Sequence, residues 1–460
     1  MKLAVAAGVA LLLSSTAAGA QPAAAPPVQT RSGTGAALAL PYTQFTLSNG
    51  LHVILHEDHS VPVVSVNVWY HVGSANEKPG RTGFAHLFEH LMFMGSGHVP
   101  PGEFDALLEN AGGSNNGTTD ADRTAYWINV PSNALALALF LESDRMGYLL
   151  DTMTPQVVDA QRDVVKNERR QNVENRPYGT AEAVVLGEML YPDGHPYHWP
   201  VIGYMDDLSA ATYDDVAAFF KAYYAPGNAS LVVAGDIDTE ETREMIERWF
   251  SDVKAGPPLP LMPKPAARLD GVQKRTITDR IQLPRLYLAW LTPPQNAPLD
   301  AALDIVADVL AGGRNSRLYK RLVYDMQIAQ DVVAYQDSSA LSSSFLIQAT
   351  PQPGHTLDEI QRVIDEELTR LRTEPPTDRE LQRAVNQIES SFYSRMERVG
   401  GFGGKADQLN RYYTLTGNPD WFNEDLARYR ALSPSDVQAA AAEMLPLDRR
   451  VELSVMPEAK

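Results

Sequence analysis

The chain has 460 residues, 44% hydrophobic and 21% charged, which is room for roughly two to four domains with full cores. Its formal net charge of −18 excludes phosphate-backbone binding as a main function and favours cationic partners such as basic peptides. There is no cysteine, so disulfides and thiolate metal sites are excluded, and any metal must be held by histidine and carboxylate.

Residues 1–20 read as a secretory signal peptide. Lys2 is a short positive region, Leu3 to Leu13 an apolar core, and Ala18-Gly19-Ala20 a small-residue cleavage site. The apolar core is too short for a permanent span, and no other stretch is long and apolar enough for one. The expected mature protein is periplasmic or secreted, with no membrane span. Lys2 is the only charge removed, leaving −18 − 1 = −19. Residues 21–40, rich in Ala, Pro and Gly, read as a flexible leader.

Asn49-Gly50 between Phe45–Ser48 and Leu51–Leu55 is a hairpin signal. Val61 to Val72 is a second β-rich run. A helix over about Gly83–Met94 comes next, then a short helix from Phe104 closed by Gly112-Gly113. Asn115 to Val130 reads as extended, and Pro131 opens a long apolar helix to about Leu150. Thr154-Pro155 starts another helix that reaches about Asn175. Tyr213–Tyr223 and Thr239–Phe250 are helical, and Ala229–Ala234 is a buried strand.

Residues 255–272, Pro-rich at the start, read as a linker between a domain at 41–254 and a second at 273–460. Beyond it the pattern roughly repeats. Strands are expected at Gln282–Leu291, Ser343–Ala349 and Val451–Val455. Helices are expected at Leu299–Leu310, Leu357–Arg372, Asp378–Arg395 and Asp420–Ala431. The last strand echoes Leu231–Ala234, which suggests two duplicated α+β domains, each a mixed or antiparallel sheet with helices packed on it.

His86-Leu87-Phe88-Glu89-His90 carries the chemistry. On a helix, His86 and His90 stand one turn apart on one face, and Glu89 lies on the same side. Two imidazoles beside a carboxylate form part of a first-row metal site with a base next to it. The bland alternative is an amphipathic helix with satisfied core histidines. A catalytic zinc needs a third protein ligand and an open position for water.

The H-x-x-E-H order, followed 78 residues after His90 by Glu168, resembles the pitrilysin/insulinase superfamily of zinc metallopeptidases, which includes the mitochondrial processing peptidase. Gly112-Gly113-Ser114-Asn115-Asn116, Asp122, Thr124, Tyr126 and Asn175-Arg176-Pro177 add to the likeness. The resemblance implies a half-clamshell of two α+β domains, the second non-catalytic. It implies one Zn²⁺ per chain on His86, His90 and Glu168, with Glu174 the next candidate for third ligand. Glu89 becomes the general base of a zinc endopeptidase or oligopeptidase, and Asn116 lies in an edge strand that binds extended peptide by its backbone.

Two departures stand out. Gln161 replaces a carboxylate that the family often carries. Val323 and Gln330 stand where two-domain relatives place a substrate-binding Arg and Tyr, while Tyr324 and Tyr335 are out of register. The expected partner is therefore a half-length sister chain bearing that pair, in a heterodimer, with a homodimer as the alternative. A non-catalytic assembly subunit of the same fold is the competing function.

Weaker signals are set aside. Gly400–Lys405 lacks the Walker spacing and reads as a hinge or turn between helices. His195 and His198 read as a structural loop. His52, His56, His59 and His71 lack a closing carboxylate pattern, and the sequon at Asn228 falls on a buried strand.

Overall fold

The computed structural model describes residues 29–31, 38, 40–262 and 264–459. The expected signal peptide and most of the leader lie outside the described residues. Two sheets organise the rest. The first contains β1 (Gln29–Arg31), β2 (Tyr42–Thr46), β3 (His52–Glu57), β4 (Val63–Tyr70), β5 (Ser114–Thr119), β6 (Thr124–Pro131) and β7 (Ala229–Gly235), in the order β1-β2-β3-β7-β4-β6-β5. The second contains β8 (Gln273–Asp279), β9 (Arg285–Thr292), β10 (Ala329–Asp337), β11 (Ser343–Pro351) and β12 (Val451–Pro457), in the order β10-β11-β9-β12-β8.

The duplication is explicit in the topology. The order β3-β7-β4-β6-β5 matches β8-β12-β9-β11-β10, and the directions match too. β3 runs parallel to β7 as β8 does to β12, and every other neighbour pair in the two sets is antiparallel. β12 therefore occupies the place of β7, as the echo in sequence suggested. In the second half the helix after β9, Asp300–Ala311, contains no histidine.

Both faces of each sheet are covered, which is why the central strands read as continuous apolar runs. In β7, Leu231 and Val233 enter one core, while Val232 and Ala234 enter another on the opposite face. In β9, Leu286, Leu288 and Trp290 face the second half's own helices, and Tyr287 and Ala289 face away.

The covering helices are exchanged between halves. The helical segment 181–190 of the first half packs Val185, Leu186 and Met189 against Tyr287, Ala289 and Val451 of the second sheet. Helices Lys405–Thr416 and Phe422–Arg430 of the second half pack Leu409, Tyr412 and Phe422 against Ile54, Val232 and Ala234 of the first. The described residues of 254–272 form no helix or strand.

Several elements differ from the reading of the sequence. Asn115–Val130 is not one extended run but the hairpin β5–β6, turning at Asp120–Arg123. Strands β8 and β10 were not anticipated, nor were helices Lys405–Thr416 and Pro434–Met444. Within the leader, Gln29–Arg31 pairs with β2 as an edge strand. Residues Gly400–Lys405 turn between two helices and dock on the first sheet, with Phe402 edge-on to Trp127 at 5.8 Å. Asn228 is buried and donates to the Tyr223 carbonyl at 2.9 Å, so it is not placed to carry a glycan.

Candidate metal centre

Helix α1 (Phe84–Leu91) starts at Gly83, whose φ of 87° is left-handed. A Cβ there would lie 2.7 Å from the Ile202 carbonyl, so both conformation and space require glycine. The buried Glu77 carboxylate caps the helix, accepting from the N–H groups of Gly83 (2.9 Å) and Ala85 (2.8 Å). Phe84, Leu87, Phe88 and Leu91 are buried on the inner face, with Phe88 against Phe219 and Tyr224 at 5.5 and 4.9 Å. Fixing that face leaves His86, Glu89 and His90 on the other.

In chain order α2 (Glu103–Asn110) and α3 (Leu135–Thr152) precede α4 (Pro155–Arg169). Thr154 caps α4 by accepting from the Val157 N–H, and Pro155 sits in the first turn. Arg169, at the other end, donates to the Gly203 carbonyl at 2.9 Å and pairs with Glu174. That ion pair occupies Glu174, the fallback ligand.

The two helices bring His86, His90 and Glu168 together. Glu168 Oε2 lies 3.1 Å from His90 Nε2 and 3.8 Å from His86 Nε2. Ligand atoms on a tetrahedral zinc, each about 2.0–2.1 Å from the ion, stand about 3.3–3.4 Å apart. The donor set fits such an ion in type and spacing, and it is the only group of three His, Asp or Glu side chains among the described residues that closes to this degree. Burial pulls the His86 imidazole down to about 4, so it is neutral as a metal ligand must be. The hydrogen bond from His90 holds Glu168 below the usual carboxylate range.

Glu89 stands beside this trio. Its Oε2 accepts from the Thr119 hydroxyl at 2.7 Å. Burial raises its carboxyl above the ordinary range, and the Thr119 bond pulls the other way. Strand β5 passes close: a Cβ on Gly117 would lie 2.9 Å from Glu89 Cγ. Gly117 and Thr119 share the strand face turned to Glu89, and alternation puts Asn116 on the other. Asn116 is exposed on this edge strand, and its Oδ1 accepts from the Gly117 N–H. Among the described residues β5 pairs only with β6, so its other edge is open.

Thr119, Gly117 and Glu77 were missed from sequence. Only the i, i+2 spacing of Gly117 and Thr119 after the Asn115-Asn116 pair could have pointed to the first two.

The departures also have places. Gln161 donates to the Met94 sulfur at 2.8 Å. Val323 packs on the core of the second half, and Gln330 is exposed at an irregularity in β10. Arg321 is held by Glu366 and Glu367. The other histidines are occupied elsewhere: His52 stacks on Tyr413 at 3.8 Å, His71 bonds Ser230 at 3.0 Å, and His195 and His198 sit in a loop.

This fold and site define the two-domain M16 peptidase class. Residues 52–190 match the family described as Insulinase (Peptidase family M16), and residues 210–388 match the Peptidase M16 inactive domain. The chain is 31% identical over 374 residues to the zinc protease PqqE of Helicobacter pylori, covering 79% of this chain and 82% of that protein. It is 25% identical to a probable mitochondrial-processing peptidase subunit beta of Arabidopsis thaliana, covering 91% and 79%. A crystal structure of a protease from Helicobacter pylori superposes with a TM-score of 0.84 at 28% identity, covering 91% of this chain and all of that one. The chain belongs to the M16 peptidase family, in its half-length form.

Proposed function

We propose that the chain is a zinc-dependent endopeptidase acting on extended peptides. The carrying observation is the meeting of His86, His90 and Glu168 with Glu89 alongside, next to an open strand edge. Zinc on those three side chains supplies Lewis acidity and brings a water's pKa to about 7.

The chain's own groups do the rest. Glu89 takes the proton of the attacking water and passes it to the leaving amine. Thr119 fixes one Glu89 oxygen and leaves the other for the water. The free edge of β5 offers backbone N–H and C=O groups to an incoming strand, with Asn116 on the exposed side. That mode reads backbone and needs a substrate without its own fold.

Export to the periplasm, with a homologous half-length chain as partner, belongs to the same proposal. No helix among the described residues is long and apolar enough to cross a membrane. Val323 and Gln330 supply no Arg/Tyr pair, and a sister chain would bring one.

The test compares wild type with Glu89→Gln. Both are expected to hold one zinc per chain, and the variant to lose most turnover of an unfolded peptide. A wild type that keeps less than about half a zinc after zinc-replete purification would favour the assembly-subunit reading. Full activity of the isolated chain, unchanged by a sister chain, would remove the heterodimer.

A further inference from the structure

A cavity of about 340 Å³ lies inside the second half, between the end of β10 and helices Asp300–Ala311, Asp378–Arg395, Lys405–Thr416 and Phe422–Arg430. No residue of the metal centre lines it. Its wall is mostly polar, which is costly inside a protein unless each group has a partner. Part of the wall is settled. Arg428 pairs with Asp425 at 2.6 Å and reaches Asp300 at 3.5 Å, and Asp300 also accepts from Ser338 at 2.6 Å.

Other groups are not settled. Gln408 is 4% exposed and lines the cavity, yet its amide bonds to no described residue. Among the described residues, the side chains of Arg395 and Arg411 line it without an ion pair or hydrogen bond. Arg395 is exposed and marks the mouth, while Arg411 is half-buried. Asp304 accepts from the Tyr429 hydroxyl at 2.7 Å, but among the described residues neither it nor Asp337 joins an ion pair. Burial pushes the half-buried Asp304 up to about 7, the mark of a carboxylate short of positive charge, and Asp337, at the exposed end of β10, is shifted upward as well.

One ion does not answer both needs. The acids do not close into a cation cage, since the one such cluster among the described residues is His86, His90 and Glu168. A lone anion on the arginines would face the carboxylates. A molecule with a carboxylate and an ammonium a few ångströms apart brings both missing partners.

We propose that this cavity binds a small zwitterion of the amino-acid or dipeptide class, its carboxylate on Arg395 and Arg411, its ammonium toward Asp304 and Asp337, and, in a dipeptide, its amide on Gln408. Its volume is at the low end for ligand pockets, which suits one or two residues. The wall at Asp337–Ser338 continues into a turn where the Ala340 N–H donates to Asp122 and the Leu341 N–H to Tyr197 Oη, each at 2.9 Å. Asp122 lies in the β5–β6 turn, so this wall touches the hairpin that passes Glu89. Sensing of peptide products is the role that follows; that role rests on the peptidase reading, whereas the binding does not.

Calorimetric titration of the zinc-free full chain with L-alanyl-L-alanine tests the binding apart from catalysis. One dipeptide per chain is expected, with affinity unchanged on adding zinc and at least about tenfold weaker for uncharged N-acetyl-alanine methylamide. Arg411→Ala and Asp304→Asn should each weaken it at least about tenfold. Arg395→Ala, at the exposed mouth, is the variant least able to disturb folding and should weaken it too. No saturation up to about 10 mM, equal binding of the uncharged compound, or affinity indifferent to Arg395→Ala would overturn the proposal.

Discussion

Thr119 Oγ1 donates to Glu89 Oε2 at 2.7 Å, across the gap between the sheet's edge strand and the metal helix. The bond joins the element that would receive substrate to the group that would move the proton. Thr119→Val should lower kcat by about tenfold or more with zinc content unchanged, because Glu89 loses its orientation. Thr119→Ser should restore most of it. Equal kcat in Thr119→Val and wild type would show that the bond does not position the base.

Removing a ligand should act on the metal first. His90→Ala and Glu168→Ala should each weaken zinc binding by more than about 100-fold, beyond the 10–100-fold typical of losing an outer partner. Glu174→Ala, which only frees Arg169, should keep its zinc. Competition with a chelating dye measures all three. A Glu168→Ala protein that holds zinc like wild type would remove Glu168 from the set.

Gly400 sits where a Cβ would overlap Asn129 Oδ1 and Ser65 Oγ. Gly400→Ala should therefore destabilise the chain by about 1–3 kcal/mol through overpacking. Urea unfolding gives the value, and a change within error would mean that the turn 400–405 is not pinned to the first sheet.

Two part-buried neutral histidines should each cost stability in mild acid. Burial lowers His52 and His71 from 6.5 to about 4. Between those values the unfolded chain binds more protons than the folded one. Their contribution is therefore complete above about pH 6.5, lost as pH falls toward about 4, and flat below. His71, the more buried, should account for on the order of 3 kcal/mol. In unfolding free energies measured across this range, His71→Asn should lower the slope against pH by about one proton relative to wild type. An unchanged slope would show that His71 is not buried in its neutral form.

How far the sequence reached depended on where each signal lay. His86, Glu89 and His90 lie within one helical turn or so, and local periodicity is enough to see them. Glu168 is 78 residues beyond His90, and only a family resemblance linked the two. Thr119 left no trace, because a threonine in a polar strand has no distinguishing neighbour. Strands β8 and β10 lie at the two edges of their sheet, and five of seven and four of nine of their residues are exposed, so neither reads as an apolar run. Helix Lys405–Thr416 buries Asp407, Gln408 and Asn410 along with Ala406, Leu409 and Tyr412, which blurs its hydrophobic face. Pro434–Met444 puts four consecutive alanines across its buried and solvent sides, with little contrast to detect. The central strands β7 and β12, buried on both faces, were the easiest to read.

The exchange of covering helices sets an order of events for a chain made from its N-terminus. When β7 emerges, the first sheet is complete except for its outer wall. That wall is supplied by Leu409, Tyr412 and Phe422, some 170 or more residues later. Until then Ile54, Val232 and Ala234 face water or a chaperone. Contacts of such long sequence separation form late and slowly. The metal helix lies on the opposite face of the same sheet, so a nascent first half could assemble its histidines before the chain could hide its own apolar back.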